Sequence, residues 1–126
     1  MNVVCALLIR GNRFFLAQRS DFGLWELPGG KVETNESLTE ALARELREEL
    51  NLTVAEANLI GMGHVQTNKI VLSVFAYPCL KNSTWTPREH SAITWTTTEE
   101  VLSFSVCEAD RLFFRTYKSK LQELLK

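Results

Sequence analysis

Cysteine is scarce and scattered: Cys5, Cys79 and Cys107 are the whole complement of 126 residues, and no two of them form a CxxC pair. That spacing argues against a disulfide framework and a thiolate zinc site, and a reducing, cytoplasmic setting is the expectation. No stretch approaches the roughly 20 consecutive apolar residues needed to span a bilayer, so no membrane partner is expected. The opening MNVVCALLIRG has neither a basic leader nor a small-residue cleavage site, and no signal peptide is read there. Basic excess is also missing. With 14 Lys and Arg against 15 Asp and Glu, the net charge is −1, which offers little grip on a nucleic-acid polymer. A small polyanion would need local positive charge or a metal ion. No repeat, low-complexity run or linker divides the chain, so one domain over residues 1–126 is expected, as monomer or homodimer.

What is present is ordinary in bulk, 45% hydrophobic and 23% charged, enough to build a core without staples. Residues 2–10 and 13–18 are apolar, β-rich runs about Gly11-Asn12, which reads as a hairpin. Ser20 to Gly23 is turn-rich and leads to a short strand at Trp25-Glu26-Leu27, after which Pro28-Gly29-Gly30 breaks regular structure. Ser37, with Glu40 three residues on, predicts a capping box that opens a helix running to Leu50. Residues 52–66 and 69–78 read as strands around a Thr67-Asn68 turn, and Ala92–Thr96 as a further strand. Ser105 and Glu108 read as the capping box of a last helix with the apolar series Val106, Ala109, Phe113, Tyr117, Leu121 and Leu124. Mixed strands with two principal helices predict an α/β sandwich.

The first helix carries the chemistry. At about 100° per residue, with Leu38 as origin, Leu42, Leu46 and Leu50 fall at about 40°, 80° and 120° and mark the core face. On the same wheel Glu49 lies at about 20°, Glu45 at about 340° and Glu48 at about 280°. A merely solvated acidic face would lie opposite the stripe, near about 250°, where Arg44 and Glu40 fall. Carboxylates at i, i+3 and i+4 on the margin of a buried face repel one another, and they do so near the helix C-terminus, where the macrodipole is negative. Arg44 offsets part of this through i,i+4 contacts with Glu40 and Glu48. The remainder points to a hard divalent ion, and all-oxygen ligands favour Mg2+ or Mn2+ over zinc. Asn51 follows the last helical residue, where the chain often turns left-handed and Asn is the next choice after Gly.

Gly30, five residues, Glu36, seven residues, then Arg44-Glu45-Leu46-Arg47-Glu48-Glu49-Leu50-Asn51-Leu52 resembles the Nudix box, Gly-x5-Glu-x7-Arg-Glu-apolar-x-Glu-Glu-x-Gly-apolar. Every defined position agrees except Asn51, which stands where the family has Gly. Leu16 to Arg19, Gly23 to Glu33, Glu89-His90 with Trp95, and Ala109-Asp110 are similar to the MutT-type branch. The resemblance implies a Nudix-like α/β/α sandwich with a mixed central sheet. It implies a Mg2+-dependent nucleoside triphosphate pyrophosphohydrolase, with Mn2+ a possible substitute, releasing a nucleoside monophosphate and pyrophosphate. Oxidised guanine and cytidine nucleotides are the familiar substrates of that branch.

Carried over residue by residue, Glu45, Glu48 and Glu49 would bind the catalytic metal, with the Gly29 carbonyl completing its shell and Glu89 a further ligand or base. Gly30, Glu36 and Arg44 would brace the loop–helix unit. Arg19 and Lys31 are candidate phosphate contacts. Asp110 is the candidate reader of the base; an ionised carboxylate accepts hydrogen bonds only and so favours a base that offers donors. Leu8, Leu27 and Phe75 are candidate apolar walls for that base, or else core. His64 and His90 carry no partner pattern and stay unassigned. Three alternatives remain open at this stage. They are hydrolysis of another nucleoside diphosphate derivative (ADP-ribose, a nucleotide sugar, a dinucleoside polyphosphate), a role at RNA 5′ ends, and a non-catalytic Nudix-fold binding module.

Overall fold

The computed structural model describes residues 1–79 and 90–126, so Glu89 lies outside the described residues. The first strand, β1 (Asn2–Arg10), is buried at every position from Val4 to Leu8, which makes it a central strand covered on both faces. One of its edges pairs in parallel with β6 (Val71–Pro78); the other takes β2 (Arg13–Arg19) and β4 (Gly29–Lys31), both antiparallel. Beyond β2 lie β3 (Trp25–Glu26) and β7 (His90–Thr96), and β5 (Ile60–Gln66) flanks β6.

Side-chain alternation along β1 assigns the two faces. Val3, Cys5 and Leu7 join Phe14, Leu16, Leu72 and Val74 in a cluster closed by Ala109, Phe113 and Phe114 of α2 (Glu108–Thr116) and by Leu121 of α3 (Lys118–Leu124). Val4, Ala6 and Leu8 join Phe15 and Ala17 in a second cluster, closed by Ala41, Leu42, Leu46 and Leu50 of α1 (Leu38–Leu50). The result is the expected α/β/α sandwich around a mixed sheet. Leu38, taken as origin of the core stripe, is 38% exposed; the stripe is carried by Ala41, Leu42, Leu46 and Leu50 instead.

Both ends of α1 follow from local chemistry. Ser37 Oγ accepts from Glu40 N–H at 3.1 Å, while Glu40 Oε1 accepts from Ser37 N–H at 2.9 Å, so the capping box is complete. This engages Glu40, which therefore does not pair with Arg44. At the other end Asn51 is left-handed (φ 55°), and the N–H groups of Asn51 and Leu52 reach back to the carbonyls of Arg47 and Leu46.

Three departures from the sequence reading have identifiable causes. Gly29-Gly30 does not end regular structure but forms β4, because β1 supplies a partner edge that the dipeptide's own propensity does not reveal. Residues 52–59 are not a strand: Leu52 and Leu59 are buried beneath α1, and a single 3-10 turn at Glu56–Asn58 connects them. The last helix starts at Glu108 and not at Val106, since Trp25 N–H donates to Ser105 O and Cys107 N–H to Trp25 O, tying 105–107 to β3. It then breaks at Tyr117, whose hydroxyl donates to His64 O at 3.0 Å and accepts from His64 N–H at 3.2 Å. A Cβ at Gly63 would collide with that ring. After the break the buried positions become Leu121 and Leu125, leaving Leu124 at 44% exposure.

Replacing Asn51 by Ala keeps the fold but forces a β-carbon into the left-handed cap, and stability is expected to drop by about 1 kcal/mol in urea unfolding. Asn51→Gly is expected to show no such loss; equal losses in both variants would contradict the cap assignment.

Candidate active site

Strand β4 and helix α1 meet along one edge, and the register says which backbone atoms face the helix. In the β1–β4 pair, Pro28 O accepts from Ala6 N–H at 2.9 Å and Val32 N–H donates to Asn2 O at 2.9 Å. Even-numbered residues therefore bond across the pair, and the carbonyls of Gly29 and Lys31 turn outward. Lys31 O accepts from Arg44 Nη2 at 3.0 Å, which places that outer edge against α1. The Gly29 carbonyl lies two residues along the same edge.

Both glycines are needed for the close approach. A Cβ on Gly29 would run into Val4 O and stand 2.6 Å from Cys5 Cα, and one on Gly30 would stand 2.6 Å from both carboxylate oxygens of Glu45. Gly30 is thus the seat on which the Glu45 carboxylate rests.

Arg44 holds the unit together and does not lie on a solvated face: its side chain is only 18% exposed. Nε donates to Glu36 Oε2 at 2.6 Å and Nη2 to Glu36 Oε1 at 2.9 Å, a two-point fork. Nη1 reaches Glu45 Oε1 at 2.9 Å and Glu48 Oε2 at 3.3 Å. Beside this guanidinium, the Glu36 carboxyl is pulled down to about 2. Burial follows the helical wheel: Glu49 is 7% exposed as a residue, while the side chain of Glu45 is 16% exposed and that of Glu48 56%.

Among the described residues no three of His, Cys, Asp and Glu converge as a closed metal cage, because Glu45 and Glu48 turn toward Arg44. The donor set nonetheless fits a hard divalent ion. It consists of oxygen donors alone, carried on adjacent positions of one rigid helix, beside an outward carbonyl at Gly29 and a seat at Gly30 that a Cβ would fill.

Glu49, Gly29, Gly30 and Lys31 help to line a cleft of about 760 Å³. Val3, Cys5, Leu27, Ile70, Leu72 and Ala109 form its apolar walls, and Arg19, Asp21, Glu26, Lys69, Cys107, Glu108 and Asp110 its polar ones. Of the three residues read as base wall or core, Leu27 lines the cleft while packing in the cluster under α2 and α3. Leu8 and Phe75 take the core alternative: both pack in the cluster under α1, on the opposite face of the sheet from the Val3–Cys5 face that the cleft uses. Lys31 lines the cleft, with Lys69 as a cation that the sequence reading missed. Arg19 lines it too, but its guanidinium is already bonded to Asp21 at 2.8 and 3.0 Å and stands 3.7 Å from Glu26. Among the described lining residues three side-chain cations stand with five carboxyl groups. A polyphosphate would thus find no positive excess in the side chains and would gain from added positive charge.

Asp110 is buried in the wall of the cleft, its Oδ2 accepting from Leu27 N–H at 2.8 Å. Burial raises its carboxyl from 3.8 to about 7, against the Leu27 bond, with Glu26 adding to the rise. Near neutral pH a share of it carries a proton and can donate. Burial likewise pushes the Cys107 thiol, whose Sγ lies 3.8 Å from Glu26 Oε1, up to about 12.

Comparison with known proteins gives the family to which this fold and site belong. The NUDIX domain family model matches residues 1–117, and the chain belongs to this family of pyrophosphohydrolases. It is 39% identical over 116 residues to the CTP pyrophosphohydrolase of Escherichia coli (strain K12), covering 87% of this chain and 85% of that protein. Over 53 residues it is 45% identical to the 8-oxo-dGTP diphosphatase of Proteus vulgaris, covering 39% of this chain and 47% of that one. The MutT protein of Methanosarcina mazei Go1 shares the fold with a TM-score of 0.72 at 27% identity, over 95% of this chain and 94% of that one.

The raised Asp110 carboxyl fixes the sign of a pH effect. Between 3.8 and about 7 the unfolded chain has lost this proton while the folded chain keeps it, so the group's contribution to stability falls as pH rises through that window. Urea unfolding at about pH 4 and about pH 7 is expected to show Asp110→Asn relieved of this loss, by on the order of a few kcal/mol. Identical pH slopes in wild type and variant would contradict the placement.

Proposed function

We propose that this Nudix hydrolase is a Mg2+-dependent, MutT-like nucleoside triphosphate pyrophosphohydrolase acting on cytidine or guanine nucleotides, oxidised guanine included. The observation that carries the reading is a single cleft lined by Glu49, Gly29 and Gly30 together with Leu27 and Asp110, whose volume of about 760 Å³ is within the range of small-molecule sites. The names of the relatives, one for CTP and one for 8-oxo-dGTP, point to the same substrate class.

Glu45, Glu48, Glu49 and the Gly29 carbonyl would hold the metal, with Glu89 as a further ligand or base. When bound, Mg2+, or Mn2+ in its place, supplies the countercharge that the cleft lacks and activates water. Arg44 contributes by position: fixed by its fork on Glu36, it bonds Glu45 and Glu48 and holds their side chains in place. Water would add to phosphorus as the bridging P–O bond breaks, and pyrophosphate would leave with the electron pair. Lys31 and Lys69 are the proposed phosphate contacts of the chain itself. Asp110, held at Oδ2 by Leu27 N–H, is the proposed reader of an exocyclic amine or ring N–H of the base. The free thiols Cys5, Cys79 and Cys107 accord with a reducing compartment.

With Mg2+ and a panel of normal and oxidised nucleoside triphosphates, pyrophosphate and monophosphate are expected. Orthophosphate release, or no turnover of any substrate, would refute this reading. Glu49→Gln is expected to lower kcat at least about a hundredfold while thermal unfolding stays cooperative. Asp110→Ala is expected to shift the preference among bases more than the rate on the best of them, and an unchanged substrate profile would remove its assigned role.

A further inference from the structure

The turn after β2 carries two groups that the reaction as described leaves unused, Asp21 and Phe22. The turn is closed on itself: Arg19 N–H donates to Leu24 O at 2.8 Å, Gly23 N–H to Arg19 O at 3.1 Å, and Gln18 Nε2 to Gly23 O at 2.9 Å. Gly23 supplies the left-handed residue that this closure requires (φ 69°). Inside it Asp21 takes the side edge of the Arg19 guanidinium, Oδ1 from Nε at 3.0 Å and Oδ2 from Nη2 at 2.8 Å. Phe22 N–H donates to the same Oδ1 at 2.8 Å and fixes the carboxylate. The Phe22 ring, 76% exposed, lies 5.9 Å from the guanidinium carbon.

A guanidinium has five N–H donors in one plane. Side-on pairing consumes Nε–H and one proton of Nη2. The end-on edge, made of Nη1 and the second Nη2 proton, points away from Asp21. Nη1 is the atom that stands 3.7 Å from Glu26 Oε1, and Arg19, Asp21 and Glu26 all line the cleft.

We propose that Asp21 and Phe22 form a clamp that positions Arg19, holding its plane so that the end-on edge faces the cleft as a two-point donor to an oxygen of the bound nucleotide. This rests on the nucleotide reading above. Asp21 acts through Arg19 and is a positioning residue. As an exposed ion pair it adds little to stability. Its effect is to remove rotamer freedom from a long side chain before the ligand arrives.

The test is a double-mutant cycle read by calorimetric binding of a non-hydrolysable CTP analogue with Mg2+, alongside turnover of CTP. Asp21→Ala is expected to weaken binding about five- to tenfold with kcat within about twofold, and Asp21→Glu to restore part of it. In an Arg19→Ala background Asp21→Ala is expected to change nothing. Competition by inorganic triphosphate and by cytidine locates the acceptor: coupling seen with the first assigns a phosphate oxygen, with the second a base oxygen. Tighter binding in Asp21→Ala, additive losses in the double variant, or coupling with neither competitor would overturn the clamp. Wild-type protein that binds the analogue yet turns over no triphosphate would refute the proposed reaction and leave the clamp to be judged by the binding cycle.

Discussion

Arg44 gathers the carboxylates of Glu33, Glu36, Glu45 and Glu48 within 3.8 Å of its guanidinium, and the geometry of the site depends on that crowding. Two turns of one helix carry acids that repel one another at the negative end of its dipole. The fork on Glu36 fastens the preceding loop to the helix, the bond to Lys31 O fastens β4, and the remaining nitrogen faces Glu45 and Glu48. One cation thereby does in the folded chain part of what a divalent ion is proposed to do in the active one. Arg44 cannot be replaced by a compact ammonium without losing one arm of the fork.

Electrostatics also organises the cleft. Its described lining side chains supply three cations, one of them paired with Asp21, so there is no positive excess to hold the substrate proposed for it. Selection then falls to groups whose state burial controls. Asp110, raised to about 7 by burial, lines the same cleft as Glu49, Lys31 and Gly29.

Much of this was legible from residues alone, for particular reasons. Helix α1, its capping box and its Asn51 cap are local in sequence, and the phase of Glu49, Glu45 and Glu48 is a consequence of helical pitch. The run from Val4 to Leu8 is buried on both faces, so its alternation carries no parity, and nothing in it says that Val3 and Cys5, not Leu8, face the cleft. The Gly29-Gly30 strand exists because β1 offers an edge, a tertiary fact. Ser105 looked like a cap until β3 claimed its carbonyl. Arg19 was legible as a cleft cation, but its engagement with Asp21 depends on the closure of a turn that no spacing rule describes.

The central claim is that α1 and the outer edge of β4 together make one cation site, with Arg44 remaining on Glu36. Anomalous diffraction from crystals soaked in Mn2+ tests it most directly. The account predicts a peak within ligand distance of Glu45, Glu48, Glu49 and the Gly29 carbonyl, with the Arg44–Glu36 fork intact. A principal peak elsewhere, or an Arg44 drawn off Glu36 by the ion, would contradict it.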